Sequence, residues 1–236
     1  MSSFALHNLA MLLMLCDHLQ LTLLPDLTIL RCIGRLAFPL FAFMAVEGYF
    51  HTRSLKKYLV RLLILALISE VPFNLLVSGS SFDPYHQNVI WTIILGLCCI
   101  WAFENIAADR RKLLSAVIII AAFGTAIIAN VDYSSAGVLT LLAFYAFRGN
   151  TLRCRLLQLA SLGFISLLLL GGIGFSYPYQ ALAVLSLPII WLYNGSQGLH
   201  NGVIKTANYL FYPAHMLILA FFNIGVSALS RRPRFW

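Results

Sequence analysis

The sequence predicts an all-α fold, a polytopic transmembrane bundle of about eight or nine helices, with about ten as the upper limit. Two observations support this prediction. Of the 236 residues, 61% are hydrophobic and 10% are charged, whereas soluble domains average about 45–50% apolar and about 25% charged residues. The mean hydropathy is +0.87, and long apolar runs repeat along the whole chain. Residues 1–236 are therefore expected to form one integral-membrane domain rather than a soluble core.

The individual helices are predicted from apolar runs of nearly the length, about 20 residues, that a bilayer requires. These runs cover residues 4–24, 33–51, 59–78, 88–104, 113–130, 134–148, 156–174, 178–194 and 207–229. Loop signals separate the later runs, namely the Gly171-Gly172 pair, Pro178 and the polar stretch 194–198. No basic segment of a cleavable signal peptide precedes the first run, so we expect that run to be retained as a helix.

Lysines and arginines in alternate short loops predict the orientation. Cations follow the second, fourth and sixth runs and precede the ninth, at Arg53, Lys56, Lys57, Arg61, Arg110, Arg111, Lys112, Arg148, Arg153, Arg155 and Lys205. Such loops face the cytoplasm, so the N-terminus is expected inside. After nine spans the basic tail around Arg231 would lie outside, against the same rule, which leaves the late topology open.

This orientation places six polar residues at a similar depth in the outer half of the bundle: Asp17, His18, Arg35, Glu70, Asn88 and Asp132. Charged groups within a membrane are costly and usually face a partner or a polar cavity. We therefore expect a shared polar pocket that opens to the outer side.

Structural alternatives remain open for these residues. Asp17 and Arg35 can form a salt bridge that has no catalytic role. Glu70 can be solvated near a helix end, Asn88 can cap a helix and Asp132 can belong to a turn.

Two prolines lie beside polar residues within apolar runs. Pro39 lacks a backbone N–H and clashes with the carbonyl of Arg35, which predicts a kink next to that arginine. Pro213 clashes in the same way with the carbonyl of Tyr209, and His215 lies two residues after Pro213. His215 is thus a second candidate for a functional membrane histidine, or a packing residue.

A basic patch is predicted at the inner end of the second helix. It consists of His51, Arg53, Lys56, Lys57 and Arg61, with Glu47 just before it. Such patches usually anchor helix ends to anionic lipid headgroups. The alternative is a phosphate-bearing ligand, because Lys and Arg are the usual phosphate partners.

Other familiar motifs are absent from the sequence. The five cysteines show no metal-ligand spacing and are interpreted as small packing residues. No phosphate-binding loop, GxSxG, HExxH or dinucleotide fingerprint occurs, so nucleotide hydrolysis and metalloprotease chemistry have no support. No metal is expected.

Several motifs together resemble the TraX family. They are Asp17-His18-Leu19, Gly34-Arg35-Leu-Ala-Phe-Pro39-Leu-Phe41, Glu47-Gly48 with His51-Thr52-Arg53, Lys57-Tyr58-Leu59, Ser69-Glu70-Val-Pro72-Phe73, Gln87-Asn88-Val89 and Tyr212-Pro-Ala-His215. Order and spacing match over about the first hundred residues, and the His-containing motif recurs near the end. Residues 105–205 contribute little to the resemblance beyond Asp132 and Gly137.

The resemblance implies an integral protein of the bacterial inner membrane that is connected with conjugation. The family's namesake acetylates the N-terminus of conjugative pilin, and acetyl-CoA is the expected donor. A histidine in helix one followed by an arginine in helix two also resembles the broader integral-membrane acyltransferases, in which that histidine is the base.

Roles for individual residues follow from combining the resemblance with acyl-transfer chemistry, which needs a base and a group that polarises the thioester oxygen. His18 is the candidate base, with Asp17 or Glu70 orienting it and His215 as the second candidate. Arg35 would stabilise the oxyanion or hold a phosphate of CoA. The basic patch His51, Arg53, Lys56, Lys57 and Arg61 would hold the other phosphates, and Asn88, Asp132 and Glu47 would line the acceptor pocket.

Other functions fit the same residues. The acceptor can be a glycan or another envelope component instead of pilin. A transporter can use Asp, His and Arg in the membrane as a relay, and a non-catalytic assembly factor can hold pilin in the membrane. The expected partners are the lipid bilayer and an envelope acceptor, and nucleic acid is not expected. The oligomeric state stays open.

Overall fold

The fold is described by a computed structural model of residues 1–107, 110–172, 178–199 and 201–230, with only the backbone given for residues 111 and 226–230. Ten α-helices occupy this part of the chain, and β-structure within it is limited to one isolated bridge. The prediction of an all-α membrane bundle is confirmed. The basic tail after residue 230 lies outside the described residues.

Every predicted run coincides with a helical segment in the part of the chain that the structure describes, and residues 173–174 of the seventh run lie outside that part. The helices are α1 (Ser3–Thr22), α2 (Thr28–Gly34), α3 (Ala37–His51), α4 (Leu55–Val77), α5 (Val89–Glu104), α6 (Arg111–Ile128), α7 (Ser134–Ala146), α8 (Leu152–Phe164), α9 (Ser186–Trp191) and α10 (Gly202–Ser230). A π-helical segment, Ile165–Leu169, continues α8, and a 3-10 helix, Pro178–Leu185, precedes α9.

Five helical segments of the described chain are long and apolar enough to cross a membrane. They are Ser3–Thr22, Thr28–His51, Leu55–Val77, Leu152–Leu169 and Gly202–Gly225. The four shorter apolar segments have 10–17 residues. At about 1.5 Å per residue, even 17 residues extend only about 25 Å, less than the hydrocarbon thickness of about 30 Å. Helix length therefore identifies five membrane-spanning segments. It does not determine how many of the four shorter segments also cross the membrane.

The two ends of the bundle are joined by different contacts. At the end where α1 finishes, the backbone N–H of Gln87 donates to the carbonyl of Asn130 at 2.9 Å, which ties two loops together. At the opposite end, the N–H of Ser3 donates to the carbonyl of Ser196 at 2.8 Å. We call these the histidine end and the basic end. Loops alternate between them as the loop cations predicted, and α10 runs parallel to α1.

The helix that carries Arg35 is broken beside that residue. α2 ends at Gly34 and α3 begins at Ala37, so Arg35 and Leu36 form a turn. Pro39 is the third residue of α3, where the absent N–H leaves no hydrogen bond unmade. The predicted kink is thus a two-residue interruption with helical dihedral angles, and Thr28–His51 still forms one candidate membrane span.

The core lies between α1, α3, α5, α7 and α10. Leu6, Leu40, Leu97, Leu141 and Met216 are fully buried within it. Large apolar side chains also cover the outside, for example Leu113, Ile120 and Val203, which are at least 70% exposed. Such an apolar exterior suits hydrocarbon and not water, so the chain is a membrane protein.

Candidate functional site

Asp17, near the end of α1, is held by two arginines. Its Oδ2 accepts hydrogen bonds from Nη1 of Arg31 at 3.1 Å and from Nη2 of Arg35. The side chains of Asp17 and Arg35 are each 13% exposed. Gly34 permits this approach, because a Cβ on Gly34 would lie 2.5 Å from the Cβ of Asp17. Oδ1 of Asp17 and Nε of Arg35 are buried without a hydrogen-bond partner, so each retains a polar atom for a ligand.

His18 points to a different helix from its neighbour Asp17, since adjacent helical residues diverge by about 100°. Its Nδ1 lies 2.8 Å from Nε2 of His215 in α10. The two imidazole rings are nearly parallel, at an interplanar angle of 4°. The structure therefore pairs the two candidate bases with each other and not with a carboxylate.

Hydrogen-bond partners assign the protons of this histidine pair. Nδ1 of His215 lies 2.7 Å from the carbonyl oxygen of Phe211, which only accepts, so Nδ1 of His215 carries a proton. In a neutral pair, Nδ1 of His18 then donates to Nε2 of His215. Nε2 of His18 is left with a free lone pair, which a general base requires.

Arg35 is positioned from three further directions. Its Nη1 donates to Oε1 of Gln180 at 3.4 Å. The guanidinium is also within electrostatic reach of Tyr133 and Asp132. Tyr133 stacks on Phe38, with ring centroids 4.0 Å apart. These contacts fix the guanidinium and leave its Nε free.

Glu70, in α4, is bonded only by neutral donors. Its Oε2 accepts from Nδ2 of Asn88 and, at 3.0 Å, from Nε1 of Trp91. Oε1 is buried without a partner. No Lys, Arg or His of the described chain forms an ion pair with Glu70. The carboxyl group is thus bonded within the protein rather than solvated.

Asn88 has the capping role that was one alternative for it. Its Oδ1 accepts from the backbone N–H of Ile90 at 3.1 Å, which caps α5. Its Nδ2 donates to the carbonyl of Ala66 at 2.9 Å as well as to Glu70. One side chain therefore both begins α5 and orients Glu70.

Asp132 is a turn residue that also joins two loops. Its Oδ1 accepts from the backbone N–H of Tyr133 at 3.0 Å and lies 3.5 Å from Nε2 of His86. Its backbone carbonyl accepts a hydrogen bond from the hydroxyl of Thr92. The hydrogen bond to Asp132 raises the pKa of His86 above its ordinary value of 6.5, although partial burial opposes this.

Tyr212 lies between the histidine pair and the group around Glu70. Its ring centroid lies 6.0 Å from that of His215, and its phenol is within electrostatic reach of Glu70, Asp132 and Tyr133. We call the resulting assembly the polar cluster: Asp17, His18, Arg35, Glu70, Asn88, Asp132, Tyr133, Tyr212 and His215. All six residues that were predicted at one depth belong to it.

Glu47 lies at the basic end, apart from the polar cluster. Its carboxylate accepts two hydrogen bonds from Arg148, at 2.6 Å from Nε and 3.2 Å from Nη2. The guanidinium of Arg148 is 4.2 Å over the ring of Phe50. His51 also lies here, with its Nδ1 2.8 Å from the backbone carbonyl of Glu47.

The basic patch is exposed at the same end, comprising His51, Arg53, Lys56, Lys57 and Arg61. Among the described residues, its arginines and lysines form no ion pair. The Arg61 guanidinium lies 5.9 Å from the ring centroid of Tyr58. The patch therefore retains its positive charge for an external anion.

A cavity of about 400 Å³ extends from the basic end towards the histidine pair, and neither His18 nor His215 lines it. Near the basic end it is lined by Ser3, Gly48, Tyr58 and Lys205, and at its far end by Met14, Phe211 and Tyr212. Met14 precedes His18 by one helical turn, and Phe211 precedes His215 by one turn. From Ser3 to Met14, α1 extends about 16 Å.

Four members or neighbours of the cluster were not predicted: Trp91, Tyr133, Gln180 and Tyr212. Trp91 follows Asn88 by three residues, and Tyr212 precedes His215 by three, so helical spacing gives a signal for both. Tyr133 and Gln180 reach the site from segments whose placement depends on tertiary packing. No local pattern marks them.

Acid–base and electrostatic chemistry is available at the polar cluster. It combines an imidazole with a free lone pair, a fixed guanidinium and a carboxyl group bonded by neutral donors. In the part of the chain that the structure describes, no group of three or more His, Cys, Asp or Glu side chains is arranged to hold a metal ion.

Comparisons with known proteins agree with the motif resemblance. The family model described as TraX protein matches residues 2–223. A probable fimbrial assembly protein, FimC of serogroup H1 from Dichelobacter nodosus, is 29% identical over 238 residues, which cover 92% of this chain and 94% of the relative. An uncharacterized protein of Rickettsia prowazekii is 35% identical over 101 residues, 42% of this chain and 37% of its own length. No solved structure matches.

Proposed function

Since this chain belongs to the TraX family, we propose that it is a membrane-embedded acetyltransferase. It moves an acetyl group from acetyl-CoA to an amine at the outer face, the N-terminus of a pilin or fimbrial subunit. The observation that carries the proposal is the His18–His215 pair, which lies beside the fixed Arg35 and one turn beyond the cavity.

His18 acts as the base in this reaction. The acceptor ammonium gives a proton to Nε2 of His18, whose lone pair is free while Nδ1 donates to His215. The neutral amine attacks the thioester carbonyl, a C–N bond forms and the C–S bond breaks. The thiolate of CoA leaves and takes up the second proton that the attacking nitrogen loses, and the amide product keeps the acetyl group. No covalent acyl-enzyme is required.

Arg35 stabilises the oxyanion of the tetrahedral intermediate. Asp17 and Gln180 hold its guanidinium before substrate binds, and its Nε is buried and unpaired. A donor that is fixed in advance and shielded from water stabilises developing charge with little reorganisation. Asp17 is accordingly a positioning residue for Arg35.

Glu70 binds the ammonium of the acceptor. Its carboxylate is paired only with Asn88 and Trp91, and its Oε1 is an unused acceptor. An ammonium supplies both a positive charge and the missing donor. This preference for a cation supports an amine acceptor over a hydroxyl of a glycan.

Acetyl-CoA enters from the basic end. The exposed cations of the basic patch suit its phosphates, and the cavity gives its pantetheine arm a path of about 16 Å along α1 to the level of Met14. Because acetyl-CoA is a cytoplasmic metabolite, we propose that the basic end and the N-terminus face the cytoplasm and that the chain lies in the inner membrane.

The acceptor class comes from the relative named as a probable fimbrial assembly protein. That name supports a pilin or fimbrial subunit as the protein on which this chain acts. Transport of a substrate and non-catalytic assembly remain the competing functions.

The test is acetyl transfer by the purified chain in nanodiscs. Acetyl-labelled acetyl-CoA is supplied with a peptide that matches the mature N-terminus of a fimbrial subunit, and in parallel with the same peptide blocked at its amine. Label on the free peptide alone is expected. If neither peptide and no glycan acceptor is labelled, and proteoliposomes containing the chain take up substrate, the chain is a transporter instead. Peptide binding without transfer or uptake would establish an assembly factor.

A further inference from the structure

The end of the cavity is closed towards the histidine pair by Phe211. Its ring lines the cavity and also stacks on His215, with centroids 4.8 Å apart and an interplanar angle of 13°. Its backbone carbonyl accepts the hydrogen bond from Nδ1 of His215. One aromatic ring thus separates the space available to a ligand from the imidazoles.

The residues next to Phe211 are closely packed. Met14 and Tyr212, which share the cavity end with it, are 8% and 9% exposed. Met216, one turn beyond Tyr212, is fully buried. Close-packed interiors do not yield to additional methylene groups without strain.

We infer that Phe211 determines the chain length of the transferred acyl group, by closing the cavity behind a two-carbon acyl chain. The inference rests on the proposed function. The acyl group enters the cavity ahead of its thioester sulfur and meets the Phe211 ring at the closed end, so acyl carbons beyond the second would have to occupy the position of that ring. Acyl donors longer than acetyl are excluded for that reason.

The experiment measures binding rather than turnover. The chain in nanodiscs is titrated calorimetrically with acetyl-, butyryl- and hexanoyl-CoA in the absence of any acceptor. One methylene is worth about 10–200-fold in a well-packed pocket. The wild-type protein is therefore expected to bind butyryl-CoA at least about tenfold more weakly than acetyl-CoA, and hexanoyl-CoA more weakly still.

Phe211→Ala removes the ring and is expected to reduce the preference for acetyl-CoA below about threefold or to invert it. Phe41→Ala is the matched control. Phe41 also lines the cavity but packs against His7, with centroids 5.8 Å apart, about three turns of α1 before the level of His18. Its replacement is expected to change the affinity for all three thioesters together and to keep their ratio.

Each outcome separates the inference from the proposed function. If no CoA thioester binds the wild-type protein, the proposed acetyltransferase function and the inference both fail. If the wild-type protein binds hexanoyl-CoA as tightly as acetyl-CoA, only the inference fails, and this result does not depend on any variant. The inference also fails if Phe211→Ala keeps the wild-type ratio of affinities for acetyl-, butyryl- and hexanoyl-CoA. If the alanine variant does not fold, Phe211→Leu provides the same test.

Discussion

Nδ1 of His18 lies 2.8 Å from Nε2 of His215, although 197 positions separate the two residues in the chain. The parallel course of α1 and α10 brings them to one level of the bundle. Because the second nitrogen of His215 donates to the Phe211 carbonyl, the pair has one defined proton arrangement. That arrangement is the physical basis for assigning His18 as the base.

Replacing His18 by alanine should lower kcat for acetyl transfer by about 10²–10⁴-fold, the usual contribution of a general base. His215→Ala should lower kcat less and change the pH profile, because His18 then loses the partner that fixes its tautomer. Transfer of labelled acetyl groups in nanodiscs measures both. Thr125→Ala, which changes an exposed side chain of α6 that bonds the carbonyl of Ala121, should retain wild-type turnover. Full activity of His18→Ala would remove it from the mechanism.

Gly34→Ala should destabilise the protein, since the new Cβ would meet Asp17 at 2.5 Å and displace the carboxylate from Arg35. Breaking a buried ion pair costs about 3–5 kcal/mol. Thermal unfolding in nanodiscs measures the change. Gly163→Ala is the control, because that helical position has no atom within 4 Å of an added Cβ. Equal unfolding temperatures for the two variants would contradict the close approach of Gly34 to Asp17.

Glu70→Gln should raise the KM for the amine acceptor about 10–100-fold, the equivalent of a charge-assisted hydrogen bond of about 1.5–3 kcal/mol. Its effect on kcat should be smaller. Asp83→Asn serves as the control, because Asp83 is a half-buried carboxylate in a loop at the same end and bonds the N–H of Tyr85. An unchanged KM in Glu70→Gln would show that the acceptor ammonium binds elsewhere.

The hydrogen bond between His86 and Asp132 should make loop packing pH-dependent. The pKa of His86 is raised in the folded protein, so its contribution is fully present below pH 6.5 and is lost as pH rises through the raised pKa. The side chains are 41% and 31% exposed, which keeps the contribution below about 1 kcal/mol. Unfolding temperature should fall slightly from about pH 6 to about pH 9, and His86→Gln should flatten that dependence.

Cysteine labelling should verify the orientation. In a background without the five native cysteines, single cysteines at positions 26, 83 and 132 should react with an impermeant maleimide from outside the cell. Cysteines at positions 56 and 153 should react only after lysis. Labelling of 26 and 83 from the cytoplasmic side alone would reverse the bundle and with it the acceptor side of the site.

The sequence by itself determined the fold class, the helical segments and the depth of the polar residues. Each of these depends on local properties, namely the length of an apolar run, the cations of a short loop and a proline beside Arg35. They do not require knowledge of which helices are neighbours. The family also followed from local motifs, which the match over residues 2–223 confirmed.

Only the tertiary structure decided which of those residues meet. Depth along a helix says nothing about the direction in which a side chain points, and neighbouring positions diverge by about 100°. Asp17 therefore pairs with Arg31 and Arg35, while His18 pairs with His215. Glu47 lies at the other end, bound to Arg148. The packing of α10 between α1 and α4 creates both the histidine pair and the cavity that extends towards it.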